Sequence, residues 1–145
     1  MMMIMVFVID VYHFNMFGKI KIDTADRLWS EYLRKLRGRC EYCGATENLT
    51  CSHYHGRKSE GTRYCEINCD VLCISCHMKL EHEKGWTEGT LNGTKIRLPK
   101  KYTDWKLKQL GQARYDALLV KSKTYCKKDR KLQVIRIREL LKTLK

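Results

Sequence analysis

Two cysteine pairs, Cys40-Glu-Tyr-Cys43 and Cys73-Ile-Ser-Cys76, have the spacing of a closed zinc site. Zn²⁺ accepts four thiolates at about 2.3 Å in a tetrahedron, and each C-x-x-C pair supplies two corners from one short turn. Such a structural zinc would tie the stretch after the first pair to the start of whatever follows the second, and removing it should unfold much of the module. Between and just after the pairs stand His53, His55, Asn68 and His77. A neutral imidazole with its ordinary pKa of about 6.5 can accept a proton at cellular pH, which suits His53 to general base catalysis. His77 can offer a ring nitrogen to a divalent cation, and Arg57, with Lys58 or Arg63, could fork onto a phosphate. Phosphodiester hydrolysis needs these parts: a water made nucleophilic, a cation against the growing phosphoryl charge, and a grip on the backbone.

Four further cysteines lie outside the pairs. Cys51 and Cys126 read as small hydrophobes. Cys65 and Cys69 either do the same or feed a second metal with His53 or His55. His13 and His82 read as ordinary polar residues.

The elements that must position these groups are partly visible. Ala25, Leu28, Trp29, Tyr32, Leu33 and Leu36 recur at helical spacing, with Thr24 as the expected N-cap and Gly38 past the end. From Cys40 to Asn68 the pattern breaks into a knuckle, a hairpin and a loop around Gly44, Gly56 and Gly61. A helix is expected over Val71 to Glu83, carrying Cys76 and His77. Weaker helical signals follow at Thr103 to Leu110, Gln112 to Val120 and Asp129 to Leu144, the last with Leu132, Ile135, Leu140, Leu141 and Leu144 toward a core. The expected organisation is an apolar extension over 1–18, a helix within 19–38, a zinc module over 39–85 and a basic helical region over 86–145.

The run Ser52-His53-Tyr54-His55-Gly56-Arg57, then Asn68, then Cys73-Ile-Ser-Cys76-His77 resembles the HNH, or ββα-metal, endonuclease motif. The resemblance implies an α+β fold with a zinc-stapled, treble-clef-like ββα-metal core, an N-terminal helix and C-terminal helices. It also implies that Asn68 braces the hairpin and orients His53, and that a Mg²⁺ or other divalent cation sits at His77. Ile20 to Asp26, Cys51 to Arg57, Thr62-Arg63-Tyr64 and Gly111 to Leu118 are similar to phage NinG/Rap-type recombination nucleases and related prophage HNH proteins. That likeness implies branched or recombining DNA as substrate, and 5′-phosphate and 3′-hydroxyl ends. The sequence departs from the family at Ser52, where an Asp or His often ligates the catalytic metal. Asp70, Glu66 or His55 could supply the missing ligand, or the roles reverse, with His53 as ligand and His55 as base. Motif position favours His53 as base.

With 29 Lys and Arg against 16 Asp and Glu, the 145-residue chain carries a formal charge of +13. Such an excess suits a polyanion, since each cation set near a phosphate releases condensed counterions. DNA is the expected partner. From Lys121 onward ten Lys or Arg face two acids, a tail that either lies on a duplex or stays in water. Residues 1–18 lack a basic start, contain Asp10 and are too short to span a bilayer, so neither secretion nor a membrane is expected and a cytoplasmic location is. A nuclease that cuts two strands would favour a homodimer. The competing function is a zinc-held DNA-binding module that has lost catalysis, with Ser52 as the mark of the loss.

Overall fold

Asp23, not the expected Thr24, starts helix α1 (Thr24–Arg37). Its carboxylate accepts from the Asp26 amide while the Asp26 carboxylate accepts from the Asp23 amide, a reciprocal box that satisfies two otherwise orphaned donors. Gly38, at φ 67°, ends the helix in the left-handed conformation that a side chain would resist. The computed structural model describes residues 21–82, 85–91 and 94–145 of this mixed α+β chain, so the apolar extension over 1–18 lies outside the described residues. After α1 come β1 (Leu49–His53), the short α2 (Glu60–Arg63), β2 (Cys69–Cys73) and α3 (Ile74–His82). Then follow β3 (Trp86–Leu91), β4 (Thr94–Pro99), α4 (Lys100–Leu110), α5 (Gln112–Lys123) and α6 (Arg130–Thr143).

β1 and β2 pair antiparallel, with Cys51 opposite Val71, Ser52 opposite Asp70 and His53 opposite Cys69. The helix expected from Val71 therefore begins only at Ile74, because Val71 to Cys73 complete a strand. Every residue of β2 is buried, so the strand lacks the alternation that marks a half-exposed one and reads as an undivided apolar run. One face of the hairpin packs Cys51, Cys69 and Val71 against Trp29 and Leu33 of α1, and Ile137 of α6 covers the same core. The other half of the protein gathers Cys40, Leu72, Cys76 and Leu80 with Tyr54, Tyr102, Tyr115 and Leu118.

The region expected to be wholly helical after residue 85 opens instead with the β3–β4 hairpin, in which Trp86 pairs Pro99 and Leu91 pairs Thr94. The three later helices occur where expected, but α6 presents a different face. Leu132 and Ile135 are exposed, whereas Ile137 is fully buried and Val134, Leu140, Leu141 and Leu144 pack beside it. Arg130 fixes this rotation, binding Asp23 at 2.6 Å and Glu60 at the start of α2.

Asp26 ties the two helical ends together. Its buried carboxylate receives Nε of Arg63 at 2.8 Å and the Tyr64 hydroxyl at 3.1 Å. Burial alone would raise its pKa, but the Arg63 hydrogen bond and charge, with the Asp23 amide, hold it at about 2 rather than 3.8. A folded-state pKa below the unfolded one contributes stability that is present above the unfolded value and lost as pH falls through the folded one. The drop is worth about 2 kcal/mol. Thermal melts of wild type and Asp26→Asn are therefore expected to differ most at neutral pH and to converge between pH 4 and pH 2, within about one unit of the two pKa values.

Candidate functional site

The turn after α1 brings the first cysteine pair round. The Cys40 amide donates to the Ala45 carbonyl at 2.7 Å, Gly44 turns back onto Cys40 at φ 81°, and the Cys43 amide points at the Cys40 sulfur at 3.5 Å. Cys73 ends β2 and Cys76 lies in the first turn of α3, so strand, helix and knuckle converge. All four sulfurs lie within 4.8 Å of one another. Cys43 and Cys73 Sγ are 3.7 Å apart, close to the edge of about 3.8 Å in a tetrahedron with 2.3 Å bonds. Burial would raise the Cys40 pKa, but the amides of Cys43, Cys73 and Tyr42 bring it down to about 7. Burial and the surrounding thiols push Cys76 up. This donor set fits a metal such as zinc, which replaces thiol protons and offsets half the charge of four thiolates.

On the α3 side of the hairpin, Thr50 donates its single proton to the Leu72 carbonyl at 2.9 Å. It must then accept from Nδ1 of His77, also 2.9 Å away. That leaves the other ring nitrogen of a neutral His77, Nε2, with its lone pair, 3.1 Å from Glu81 Oε1 one helical turn on. Two acceptors facing each other call for a proton or a cation between them. Ser52 Oγ lies 2.9 Å from the same Glu81 oxygen.

The network continues inward. Tyr102 Oη is 3.0 Å from Ser52 Oγ and 2.7 Å from Asp70 Oδ2, and both Asp70 oxygens receive Lys106 Nζ at 2.7 Å. Asp70, Tyr102, Ser52 and Glu81 thus make three oxygen contacts in series, yet their two hydroxyls carry only two protons. With both carboxylates ionised, one contact has none. A cation at Glu81 and Ser52 removes the shortage. Glu81 was not among the residues singled out by spacing, although its i+4 relation to His77 is the signal that could have found it. Asp70, opposite Ser52 in the register and joined to it through the Tyr102 hydroxyl, is engaged by Lys106, and Glu66 accepts from Tyr32 on the α1 side.

Asn68 is fully buried and braces the loop between the strands. Its Oδ1 accepts from the His55 amide at 2.8 Å, and its Nδ2 donates to the carbonyls of His55 at 2.9 Å and Thr62 at 3.1 Å. Truncation would leave the His55 amide and carbonyl without this partner, whereas the Thr62 carbonyl still accepts from the Cys65 amide at 3.1 Å. Asn68→Ala is expected to lose roughly 2–4 kcal/mol, read as a lower urea midpoint with unchanged slope.

His53 ends β1 on the same face as Cys51, which packs against α1, and opposite to Thr50 and Ser52, which reach His77 and Glu81 of α3. Its Nε2 is 3.0 Å from the Arg63 carbonyl, which can only accept, so the proton sits on Nε2 and Nδ1 keeps the lone pair of the neutral ring. The structure therefore groups Ser52, His77 and Glu81, and sets His53 on the opposite face. His55 is buried, its Nε2 has no hydrogen-bond partner among the described residues, and burial with the charges of Lys123 and Lys106 lowers its pKa to about 4. So weak a base is poorly matched to proton abstraction at neutral pH.

Arg63 is a correction to the expected phosphate grip. It is buried against Asp26 and also donates to the Arg57 carbonyl at 3.1 Å, so its fork is occupied inside the protein. Lys58 is exposed and Arg57 half-buried, and among the described residues Arg57 Nε has no hydrogen-bond partner. Among the described residues no helix is long and apolar enough to cross a membrane. No known family model, no curated protein and no solved structure matches the chain.

Proposed function

We propose that the chain is a metal-dependent DNA endonuclease of the ββα-metal type. Zinc at Cys40, Cys43, Cys73 and Cys76 would staple the β1–β2 hairpin to α3. His77 and Glu81 would hold a divalent cation beside Ser52, supplying positive charge for the phosphoryl oxygens. The observation that carries this reading is the convergence of His77 Nε2, 3.1 Å from Glu81 Oε1, and Ser52 Oγ, 2.9 Å from the same oxygen. Thr50 fixes the His77 tautomer, as a partner behind a metal-binding imidazole should. His53, next in sequence to Ser52, has its proton pinned by the Arg63 carbonyl and keeps Nδ1 to accept one from water. The +13 charge supports a nucleic-acid partner, and the resemblance to recombination nucleases supports branched DNA.

The position of His53 on the face opposite His77 favours a second reading, a zinc-held DNA-binding module without catalysis. Linear, supercoiled and four-way-junction DNA incubated in Mg²⁺ or Mn²⁺ separates the two. Nicking by wild type is expected to vanish in His53→Ala while DNA affinity survives. Glu81→Ala should need about 10–100 times more metal for the same rate. Binding without cleavage of any substrate in either metal would establish the second reading.

A further inference from the structure

We infer that Cys51, His53 and Cys69 form a second metal site, specific for a soft divalent cation of the zinc class. The register sets His53 directly opposite Cys69 on the neighbouring strand, and Cys51 lies two residues before His53, so all three project from one face of the hairpin. Their ligand atoms lie within 4.8 Å of one another, and all three residues are buried. Two thiolates and an imidazole are soft and borderline donors, which select zinc-like ions over Mg²⁺ or Ca²⁺.

Charge narrows the class further. The site sits in the core with Trp29, Tyr64 and Val71, where an uncompensated charge is costly. A divalent cation that displaces one proton from each thiol leaves a neutral assembly, whereas a monovalent ion would leave a net negative charge. The surrounding shell already suits bound ligands. The Trp29 indole N–H donates to Cys69 Sγ at 3.3 Å, as it would to a thiolate. The Arg63 carbonyl holds the His53 ring through Nε2 at 3.0 Å, the outer contact that metal-bound imidazoles make. The Cys69 thiol donates to the same Arg63 carbonyl at 3.6 Å, the proton that a metal would displace. Cys65, the other cysteine considered for a second metal, lies outside this group and contacts Lys121.

Occupancy has a consequence that rests on the proposed nuclease reading. His53 cannot ligate through Nδ1 and accept a proton there, so a bound soft metal would switch hydrolysis off while leaving DNA binding in place.

The test uses the full-length, reduced protein with Cd²⁺ as probe, followed by native mass spectrometry and the ultraviolet thiolate-to-cadmium band. Wild type should bind two thiolate-ligated ions, counted by that band, to which an ion held by His77 and Glu81 contributes nothing. Cys51→Val and Cys69→Ala should each bind one, with circular dichroism and thermal melts showing both variants folded. A single thiolate-ligated ion in wild type at excess Cd²⁺, or two in both folded variants, overturns the second site. Stoichiometry is read without DNA, so absence of nicking would count against the nuclease reading and leave the metal count to decide this one. If wild type nicks DNA, the second equivalent of Cd²⁺ should abolish nicking in wild type and leave it intact in Cys51→Val. Nicking that persists with both sites filled overturns the proposed inhibition.

Discussion

A chain carrying Cys73→Ser or Cys76→Ser is expected to lose its folded α3–α5 half, as is wild type stripped of metal by a strong chelator. Binding of a structural zinc to a Cys₄ site is worth about 10–16 kcal/mol, comparable to or larger than the roughly 5–15 kcal/mol that stabilises a whole domain. The apolar packing around the site cannot replace it. Cys40, Cys73 and Cys76 belong to the same cluster as Leu72, Leu80, Tyr102 and Leu118, so the cysteines are the centre of that core and not an ornament at its edge. Without the cation the four close sulfurs cannot all ionise: burial and the neighbouring thiols hold Cys76 protonated, while Cys40 is brought down to about 7. Far-ultraviolet circular dichroism and one-dimensional proton spectra, recorded before chelation, after it and after zinc is returned, give the measurement. Loss of dispersed signals that zinc restores is the expected result, and an unchanged melting curve after verified metal removal would contradict it.

Lys106→Met is expected to cost about 3–5 kcal/mol, because it strands a buried carboxylate. Lys106 and Asp70 are both almost wholly enclosed, and burial already pushes Asp70 above its ordinary pKa even though Lys106 and the Tyr102 hydroxyl pull it down. Removing the ammonium takes away the largest opposing influence. Asp70 would then hold a proton at neutral pH, and its contacts to Tyr102 and Ser52 would rearrange. Since a raised folded-state pKa contributes stability that is lost as pH rises, the Lys106→Met protein should be less defective in acid than at neutral pH. The double variant Asp70→Asn, Lys106→Met removes both charges and keeps an acceptor for Tyr102. It should recover most of the loss, and a double variant as unstable as the single one would show that the ion pair is not what the site depends on.

The sequence made some of these elements plain and hid others for definable reasons. The apolar stripe of α1 and the two cysteine pairs are local signals, readable from spacing because helix periodicity and metal chelation act over a few residues. The end of α1 at Gly38 is equally local, whereas its start was displaced because Asp23 and Asp26 cap reciprocally. Strand β2 was hidden by burial on both sides, and the β3–β4 hairpin was obscured by expecting helices throughout residues 86–145, although Asn92-Gly93 is a two-residue hairpin signal in the sequence. At the site, His77 and Asn68 were legible through motif spacing. Tyr102 and Lys106 were not, since their partners Ser52 and Asp70 lie far away in sequence on another element. Arg63 looked like a surface cation for the same reason: only the fold brings Asp26 against it.

The covering of α1 by α6 sets the order in which the protein can close as it leaves the ribosome. All four cysteines of the first metal cluster have emerged by Cys76, and the side chains that pack around them are complete at Leu118. Trp29 and Leu33, although synthesised much earlier, keep part of their apolar surface open until Ile137 arrives from the other end of the chain. Among the described residues the first helix is therefore the last to be sealed, and a ribosome stalled before residue 130 would expose a half closed around the cysteine cluster beside an uncovered one.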